Sequence, residues 1–140
     1  MLLVDTGPLV AYLNPGDPLH PRAKAIFNRI ESGQYGAALT NEFVLGEAVT
    51  LLRRRPGRRE ISERLVQEVS RAGARGRPAL LELRASGPDL VRAALEAHLQ
   101  HYERGISFAD ATLVVLARLL DAPVATFDAD LEGLVPTVRE

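Results

Sequence analysis

Residues 2–12 read LLVDTGPLVAY and place a short apolar run, an acidic residue and a helix start next to one another. Leu2 to Asp5 is too short for a helix and predicts a buried strand. The Thr-Gly-Pro that follows predicts a helix that continues to about Tyr12. Asp5 is therefore expected at the carboxyl end of the first strand, where the chain turns into a helix.

The rest of the chain continues this alternation of short apolar runs and helical periods. Thr40 is expected to cap the third helix, which Pro56-Gly57 would stop, and a Ser-x-x-Asp pattern at Ser86 to cap a later one. Further strands are predicted over 37–40, 79–83, 123–127 and 135–138, and helices over 20–32, 41–55, 61–73, 86–99 and 107–120.

This order of elements predicts an α/β fold. Strands that alternate with helices form parallel units in an open sheet covered on both sides. We expect one domain over residues 1–140, a three-layer αβα sandwich with a short, mostly parallel central sheet. A chain of 140 residues is long enough to bury such a core without disulfides.

Composition excludes several classes of protein. The chain has no Cys, which rules out a disulfide scaffold and thiolate metal sites. No signal peptide or membrane span is evident, so a cytoplasmic location is predicted. The net charge is −1, so any binding of nucleic acid must rely on a local patch rather than on the field of the whole molecule.

Four acidic residues are candidates for a shared site: Asp5, Glu47, Asp110 and Asp128. Asp5 and Asp128 follow predicted strands, and ligands of parallel sheets bind at that edge. Glu47 falls between Phe43 and Leu51 in the apolar arc of its helix, where a carboxylate needs a partner or a cation. Oxygen ligands without His or Cys favour Mg²⁺ or Mn²⁺ over Zn²⁺.

Each carboxylate also has a purely structural interpretation, which remains open when that residue is taken alone. Asp5 could cap the first short helix. Ser107 and Asp110 have the spacing of a capping box, which puts this carboxylate at the positive end of a helix. Asp128 could simply start a turn.

Four stretches taken together resemble the acidic motifs of the PIN domain, in order and across nearly the whole chain. They are residues 5–11 (DTGPLVA), 40–47 (TNEFVLGE), 106–111 (ISFADA) and 125–130 (ATFDAD). The best-populated branch of that family is the VapC-type ribonuclease toxins. One departure is Leu131, where many relatives have an aromatic residue.

The resemblance implies a metal-dependent ribonuclease that cuts single-stranded RNA and leaves a 5′-phosphate and a 3′-hydroxyl. Carried over by position, the four carboxylates would be catalytic residues and ligands of Mg²⁺ or Mn²⁺. The hydroxyls of Thr6 and Thr126 would support the site on its substrate side. A cognate antitoxin protein and a homodimer are the partners that the resemblance implies beside RNA.

A basic cluster lies one or two helical turns beyond Glu47, at Arg53, Arg54, Arg55, Arg58 and Arg59. We expect Arg54 and Arg58 to contact substrate phosphates, since guanidinium groups bind phosphate well. A solvated helix end, which favours cations, explains the same cluster equally well.

Three other functions are consistent with parts of the pattern. A haloacid dehalogenase-like phosphatase also begins with a strand and an Asp, but it would need a second Asp at the position of Gly7. A phosphoacceptor receiver domain would need an acidic pair after the first strand, which is missing. A non-catalytic PIN-like module that binds RNA or protein is the third alternative, and the presence of all four acids argues against it.

Overall fold

A parallel sheet is the centre of the molecule. The structure is a computed structural model that describes residues 1–54, 58–70 and 80–140, except for the side chains of Arg58 and Ser70. Within those ranges, the strands are β1 (Leu2–Val4), β2 (Ala38–Thr40), β3 (Glu82–Leu83), β4 (Val124–Ala125) and β5 (Thr137–Val138). The helices are α1 (Thr6–Leu13), α2 (His20–Glu31), α3 (Glu42–Arg53), α4 (Arg58–Ser70), α5 (Pro88–Gln100) and α6 (Phe108–Leu120).

The described strands lie in the order β3-β2-β1-β4-β5, and all of their pairings are parallel. β1 is therefore the middle strand, and its three residues are fully buried. The carboxyl ends of β1 and β4 meet at one edge, because Val4 is in register with Ala125. The residues that follow these two strands are Asp5 and Thr126.

Helices cover both faces of the sheet. Side chains alternate between faces along a strand, and accordingly Leu2 and Val4 belong to one apolar cluster while Leu3 belongs to the other. The first cluster contains residues of α1, α2, α3 and α4, and the second is built mainly from α6. α5 packs against α6 through a smaller cluster around Ala94 and Ala97. The predicted three-layer α/β fold is confirmed.

Two predicted helix starts are wrong in detail. Asn41 caps α3 in place of Thr40, because its side-chain oxygen accepts from the backbone N–H groups of Phe43 and Val44 at 3.0 Å each. Thr40 belongs to β2, and its hydroxyl donates to the carbonyl of Val4. Ser86 does not cap α5, whose N-cap is Gly87, and instead donates to the carboxylate of Glu42.

Other predicted boundaries lie outside the described residues. They are the extension of the third helix to Arg55, its stop at Pro56-Gly57, the end of the fourth helix near Gly73 and the start of a strand at Ala79. In the described ranges, no helix combines the length and apolar character needed to cross a membrane.

Asn41 joins the sheet and two helices in the interior. Its side chain is fully buried, and its amide nitrogen donates to the hydroxyl of Thr112 on α6 at 2.9 Å. That hydroxyl in turn donates to the carbonyl of Ala109 at 2.6 Å. One amide group therefore caps the helix that carries Glu47 and ties it to the helix that carries Asp110.

Replacing Asn41 by Ala should lower the free energy of unfolding by about 2–3 kcal/mol, because the cap and a buried hydrogen bond are both lost. Asn28→Ala is the matched control, since Asn28 is exposed on α2. Urea unfolding of the two variants and the wild type measures the difference. Equal, small losses in both variants would show that the buried amide does not tie α3 to α6.

Candidate active site

Asp5 occupies the junction between β1, α1 and β4. Its backbone N–H donates to the carbonyl of Ala125 at 3.0 Å, which continues the sheet by one residue. One carboxylate oxygen accepts from the backbone N–H of Thr6 at 2.6 Å, and the other accepts from the Thr126 hydroxyl at 2.7 Å. The side chain is only 4% exposed. The predicted capping role is confirmed, and it uses one oxygen of the two.

Thr126 links Asp5 to Asp128. The Thr126 hydroxyl donates to Asp5 and also accepts from the backbone N–H of Asp128 at 2.9 Å. Asp128 is exposed and caps a 3-10 turn, Ala129–Leu131, by accepting from the N–H of Asp130 at 2.8 Å. Because Thr126 is fully buried and Asp5 accepts its hydroxyl proton, the effect of Thr126 on a substrate would be indirect.

Glu47 is joined to the same junction through Thr6. The Thr6 hydroxyl donates to Glu47 Oε2 at 2.6 Å, which is the partner that a half-buried carboxylate on α3 requires. The prediction that Leu51 shares the buried arc of α3 is wrong, since Leu51 is 37% exposed. The stripe that packs inward is Val44, Ala48 and Leu52, spaced four residues apart, and Glu47 lies at its border.

Asp110 lies at the amino end of α6, where the predicted capping box is confirmed. The backbone N–H of Asp110 donates to the Ser107 hydroxyl at 3.1 Å, and Asp110 Oδ2 accepts from the N–H of Ser107 at 2.7 Å. The residue is 7% exposed. Capping engages one carboxylate oxygen, so the other is not used by the box.

Electrostatics shows that the four carboxylates share one region. Burial raises the pKa of Asp5 from 3.8 to about 7, opposed by the Thr126 and Thr6 hydrogen bonds and assisted by repulsion from Asp110 and Glu47. Burial also raises the pKa of Asp110, with further repulsion from Asp128 and Glu47. Each acid therefore repels at least one other, and a cation placed among them would relieve that repulsion.

The carboxylates do not form a complete cage. Among the residues that the structure describes, no three His, Asp or Glu side chains are arranged to hold a metal ion by themselves. Mg²⁺ keeps several of its waters and is commonly held by one or two carboxylates together with substrate phosphates. The all-oxygen donor set, the free carboxylate oxygens and the mutual repulsion fit such an ion.

The basic residues predicted to contact substrate are only partly visible. Arg54 is exposed and forms the C-cap of α3, which is the position that the solvated-helix-end interpretation predicts. The side chain of Arg58 lies outside the described residues. A role for either residue in binding substrate stays a prediction.

Sequence reasoning missed two groups that the fold brings to the site. The first is the Asn41–Thr112 pair, whose only signal was an Asn at the start of a predicted helix. The second is Arg22, whose guanidinium lies over the ring of Phe127. Phe127 is the residue between Thr126 and Asp128 in the chain. No sequence signal connects Arg22 with Phe127, because the two residues are far apart in the chain.

Comparison with known proteins gives consistent matches over most of the chain. The family model described as PIN domain matches residues 2–134. Two relatives named 23S rRNA-specific endonuclease VapC20, from the CDC 1551 and H37Rv strains of Mycobacterium tuberculosis, are each 34% identical over 134 residues. Those matches cover 95% of this chain and 93% of each relative.

Two crystal structures show the same fold. The structure of Mycobacterium tuberculosis VapC20, described as a sarcin-ricin loop cleaving toxin, has a TM-score of 0.78 at 30% identity, with 100% of both chains covered. The structure of PAE2754 from Pyrobaculum aerophilum has a TM-score of 0.60 at 17% identity, covering 96% of this chain and 85% of that one. At that identity the second likeness concerns the fold alone.

The raised pKa of Asp5 predicts a pH-dependent stability in the absence of metal. Below pH 3.8 the carboxyl is protonated in both states, whereas up to about pH 7 the folded state retains a proton that the unfolded state loses. Stability should therefore fall as pH rises from about 4 to 7 and level off above that. Asp5→Asn should be more stable than wild type at pH 8, by on the order of 1 kcal/mol, but not at pH 4.

Urea unfolding in EDTA at several pH values measures this crossover. Glu96→Gln, an exposed substitution on α5, is the control and should follow the wild-type profile. If the free energies of unfolding of Asp5→Asn and wild type differ by the same amount at every pH between 4 and 8, Asp5 does not titrate in this range.

Proposed function

The chain belongs to the PIN domain family, and on that basis we propose that it is a metal-dependent ribonuclease, the toxin of a toxin–antitoxin pair. The observation that carries the proposal is the junction at Asp5, where Thr6, through its backbone N–H and its hydroxyl, and Thr126, through its hydroxyl, connect three of the four family acids. Asp110 joins them electrostatically.

Asp5, Glu47, Asp110 and Asp128 are the residues that would hold Mg²⁺ or Mn²⁺. When bound, the ion would polarise the scissile phosphate and lower the pKa of an attacking water. The requirement for metal rests on the donor chemistry and on the repulsion among the carboxylates. Asp5 would give up its proton as the ion binds, so affinity for the ion should fall as the pH drops below about 7.

The protein's own residues orient the site in advance of binding. Both oxygens of Asp5 are held by hydrogen bonds, and Thr6 fixes one oxygen of Glu47. The capping box fixes Asp110 at the start of α6. Groups that are already oriented need little rearrangement during the reaction, which is how a site of fixed charges contributes to rate. Asp128 is exposed and would be the acid nearest to an arriving substrate.

Ribosomal RNA is the substrate class we propose. Support comes from the relatives named 23S rRNA-specific endonuclease, which match this chain at 34% identity over 95% of its length. The crystal structure with a TM-score of 0.78 is described as a toxin that cleaves the sarcin-ricin loop. A 23S rRNA loop is therefore the first RNA to test, ahead of unstructured single strands.

Protein partners are also part of the proposal. We expect an antitoxin that covers the site, a homodimer and a cytoplasmic location, as for a toxin of this family. The exposed apolar side chains of Leu95, Leu99 and Tyr102 on and just after α5, which are 54%, 74% and 63% exposed, support burial of this face by a protein.

Purified protein should cut 23S rRNA at defined positions in Mg²⁺ or Mn²⁺ and should be inactive in EDTA. Asp110→Asn and Asp128→Asn should each slow cleavage by about a hundredfold or more, since metal-assisted charge stabilisation contributes several kcal/mol. Gel analysis of the fragments, with mapping of 5′-phosphate ends, measures both the rate and the chemistry.

Glu96→Gln is again the control and should cleave at the wild-type rate. Cleavage that persists in EDTA would exclude the metal mechanism. Binding of RNA without cleavage in any metal would instead favour a non-catalytic PIN-like module.

A second experiment addresses the basic cluster after α3. If Arg54 and Arg58 neutralise phosphates, changing both to Ala should reduce the salt dependence of RNA binding by about one to two units of log–log slope. Fluorescence anisotropy at several NaCl concentrations measures that slope. An unchanged slope would leave these residues as a solvated helix end.

A further inference from the structure

Phe127 is built into the proposed site although its side chain carries no charge. In the chain it lies between Thr126, whose hydroxyl donates to Asp5, and Asp128. Gly7 lies directly against its ring, since a Cβ at Gly7 would be 3.8 Å from both Phe127 Cβ and Cδ2. Phe127 is half-buried and packs against the apolar cluster that contains residues of α1 and α2.

Arg22, in the first turns of α2, lies over this ring. Its guanidinium carbon is 5.2 Å from the ring centroid, within the range of a cation–π contact. Arg22 Nη2 also donates to the backbone carbonyl of Arg139 at 3.1 Å. Arg139 itself donates to the carbonyl of Phe127 at 3.3 Å, so the arginines and the ring form one connected unit.

The two arginines differ in how their charge is balanced. Arg139 is half-buried and forms an ion pair of 2.5 Å with Glu132. Arg22 is exposed, and among the described residues no carboxylate lies within ion-pair distance of it. Its observed partners, a carbonyl and an aromatic face, leave its net charge and most of its five N–H donors free.

A cation without an acidic partner at this position would offset the repulsion between the carboxylates of the site and the phosphates of RNA. Four carboxylates face a substrate that carries one negative charge per nucleotide, and the net charge of the chain offers no compensating field. Phosphate recognition favours a guanidinium whose plane is already oriented, because less side-chain entropy is lost on binding. The contact with Phe127, the residue before Asp128 in the chain, provides this orientation.

We propose that Arg22, held over the Phe127 ring, binds a backbone phosphate of the RNA beside the scissile bond, on the side of the site where Asp128 lies. Arg22 is then a positioning residue for the substrate strand. This inference rests on the proposed ribonuclease function and adds a contact distinct from Arg54 and Arg58.

RNA binding without cleavage tests the contact directly. A fluorescein-labelled fragment of the 23S rRNA loop is titrated in EDTA at several NaCl concentrations, with wild type, Arg22→Ala, Arg22→Lys and Lys24→Ala. Lys24 is the matched control, because it is an exposed cation two residues further along the same helix. Arg22→Ala should weaken binding about five- to tenfold and reduce the log–log salt slope by about 0.7, the value for one phosphate of a single strand.

Arg22→Lys should restore the salt slope but only part of the affinity, since lysine keeps the charge and loses the planar fit to ring and phosphate. Lys24→Ala should retain the wild-type slope. An unchanged slope in Arg22→Ala overturns the proposal, as does an equal loss in Lys24→Ala, which would indicate a diffuse charge effect.

A purely structural role for Arg22 predicts different results. Losing its bond to the Arg139 carbonyl would then lower the melting temperature without changing the salt slope. In cleavage assays with Mn²⁺, a positioning role predicts that KM rises about five- to tenfold in Arg22→Ala while kcat changes less than twofold. A fall in kcat alone contradicts it.

The outcomes separate this contact from the function on which it rests. Wild type that binds the RNA with the Arg22-dependent slope, but cleaves nothing in Mg²⁺ or Mn²⁺, would refute the nuclease and leave the phosphate contact in place. If the wild type cleaves the RNA and Arg22→Ala has the same salt slope of binding as the wild type, the contact alone is refuted. Wild type that neither binds the RNA in EDTA nor cleaves it in Mg²⁺ or Mn²⁺ refutes both.

Discussion

The burial of one carboxylate organises this protein. Asp5 follows the central strand, caps the first helix and accepts a hydrogen bond from Thr126, which follows the neighbouring strand. A buried charge is tolerated only when it is hydrogen-bonded or neutralised. Both oxygens of Asp5 have donors, yet its pKa is still raised to about 7, so the hydrogen bonds compensate only part of the burial. The remaining instability is what a bound cation would remove.

Thr6 and Thr126, which both bond to Asp5, also bond to two of the other acids. Thr6 belongs to α1 and reaches Glu47 on α3, while Thr126 follows β4 and orients the backbone at Asp128. Asn41 then connects α3 with α6, which carries Asp110. Neutral polar side chains thus hold the four carboxylates at one edge of the sheet despite their repulsion. For Asp110 and Asp128 the structural and functional interpretations are compatible, because capping engages one carboxylate oxygen of each and leaves the other.

The negative charge of the four acids is accompanied by positive charge from Arg22 and Arg139. The acids that would hold a metal ion also repel the phosphates of RNA, so cations are required at the rim. Arg139 is already paired with Glu132 and supports the backbone of Phe127. Arg22 keeps its charge available because its neighbours are a π face and a carbonyl. The two arginines therefore differ in their partners, since Arg139 pairs with a carboxylate and Arg22 pairs with none among the described residues.

The sequence by itself determined the α/β class, the position of Asp5 after the first strand and the capping box at Asp110, because these depend on neighbours within a few residues. The four motifs in order were enough to indicate the family. Only the tertiary structure decided that Asn41 rather than Thr40 caps α3, that Leu51 stays exposed, and that Arg22 lies over Phe127. Those outcomes depend on how the sheet, α2, α3 and α6 pack together. The bonds by which Asn41 caps α3 are local, but Thr40 is held in β2 by Val4 and Asn41 is held against α6 by Thr112. These two contacts, like that of Arg22 with Phe127, join residues that are distant in the chain, and local periodicity carries no information about them.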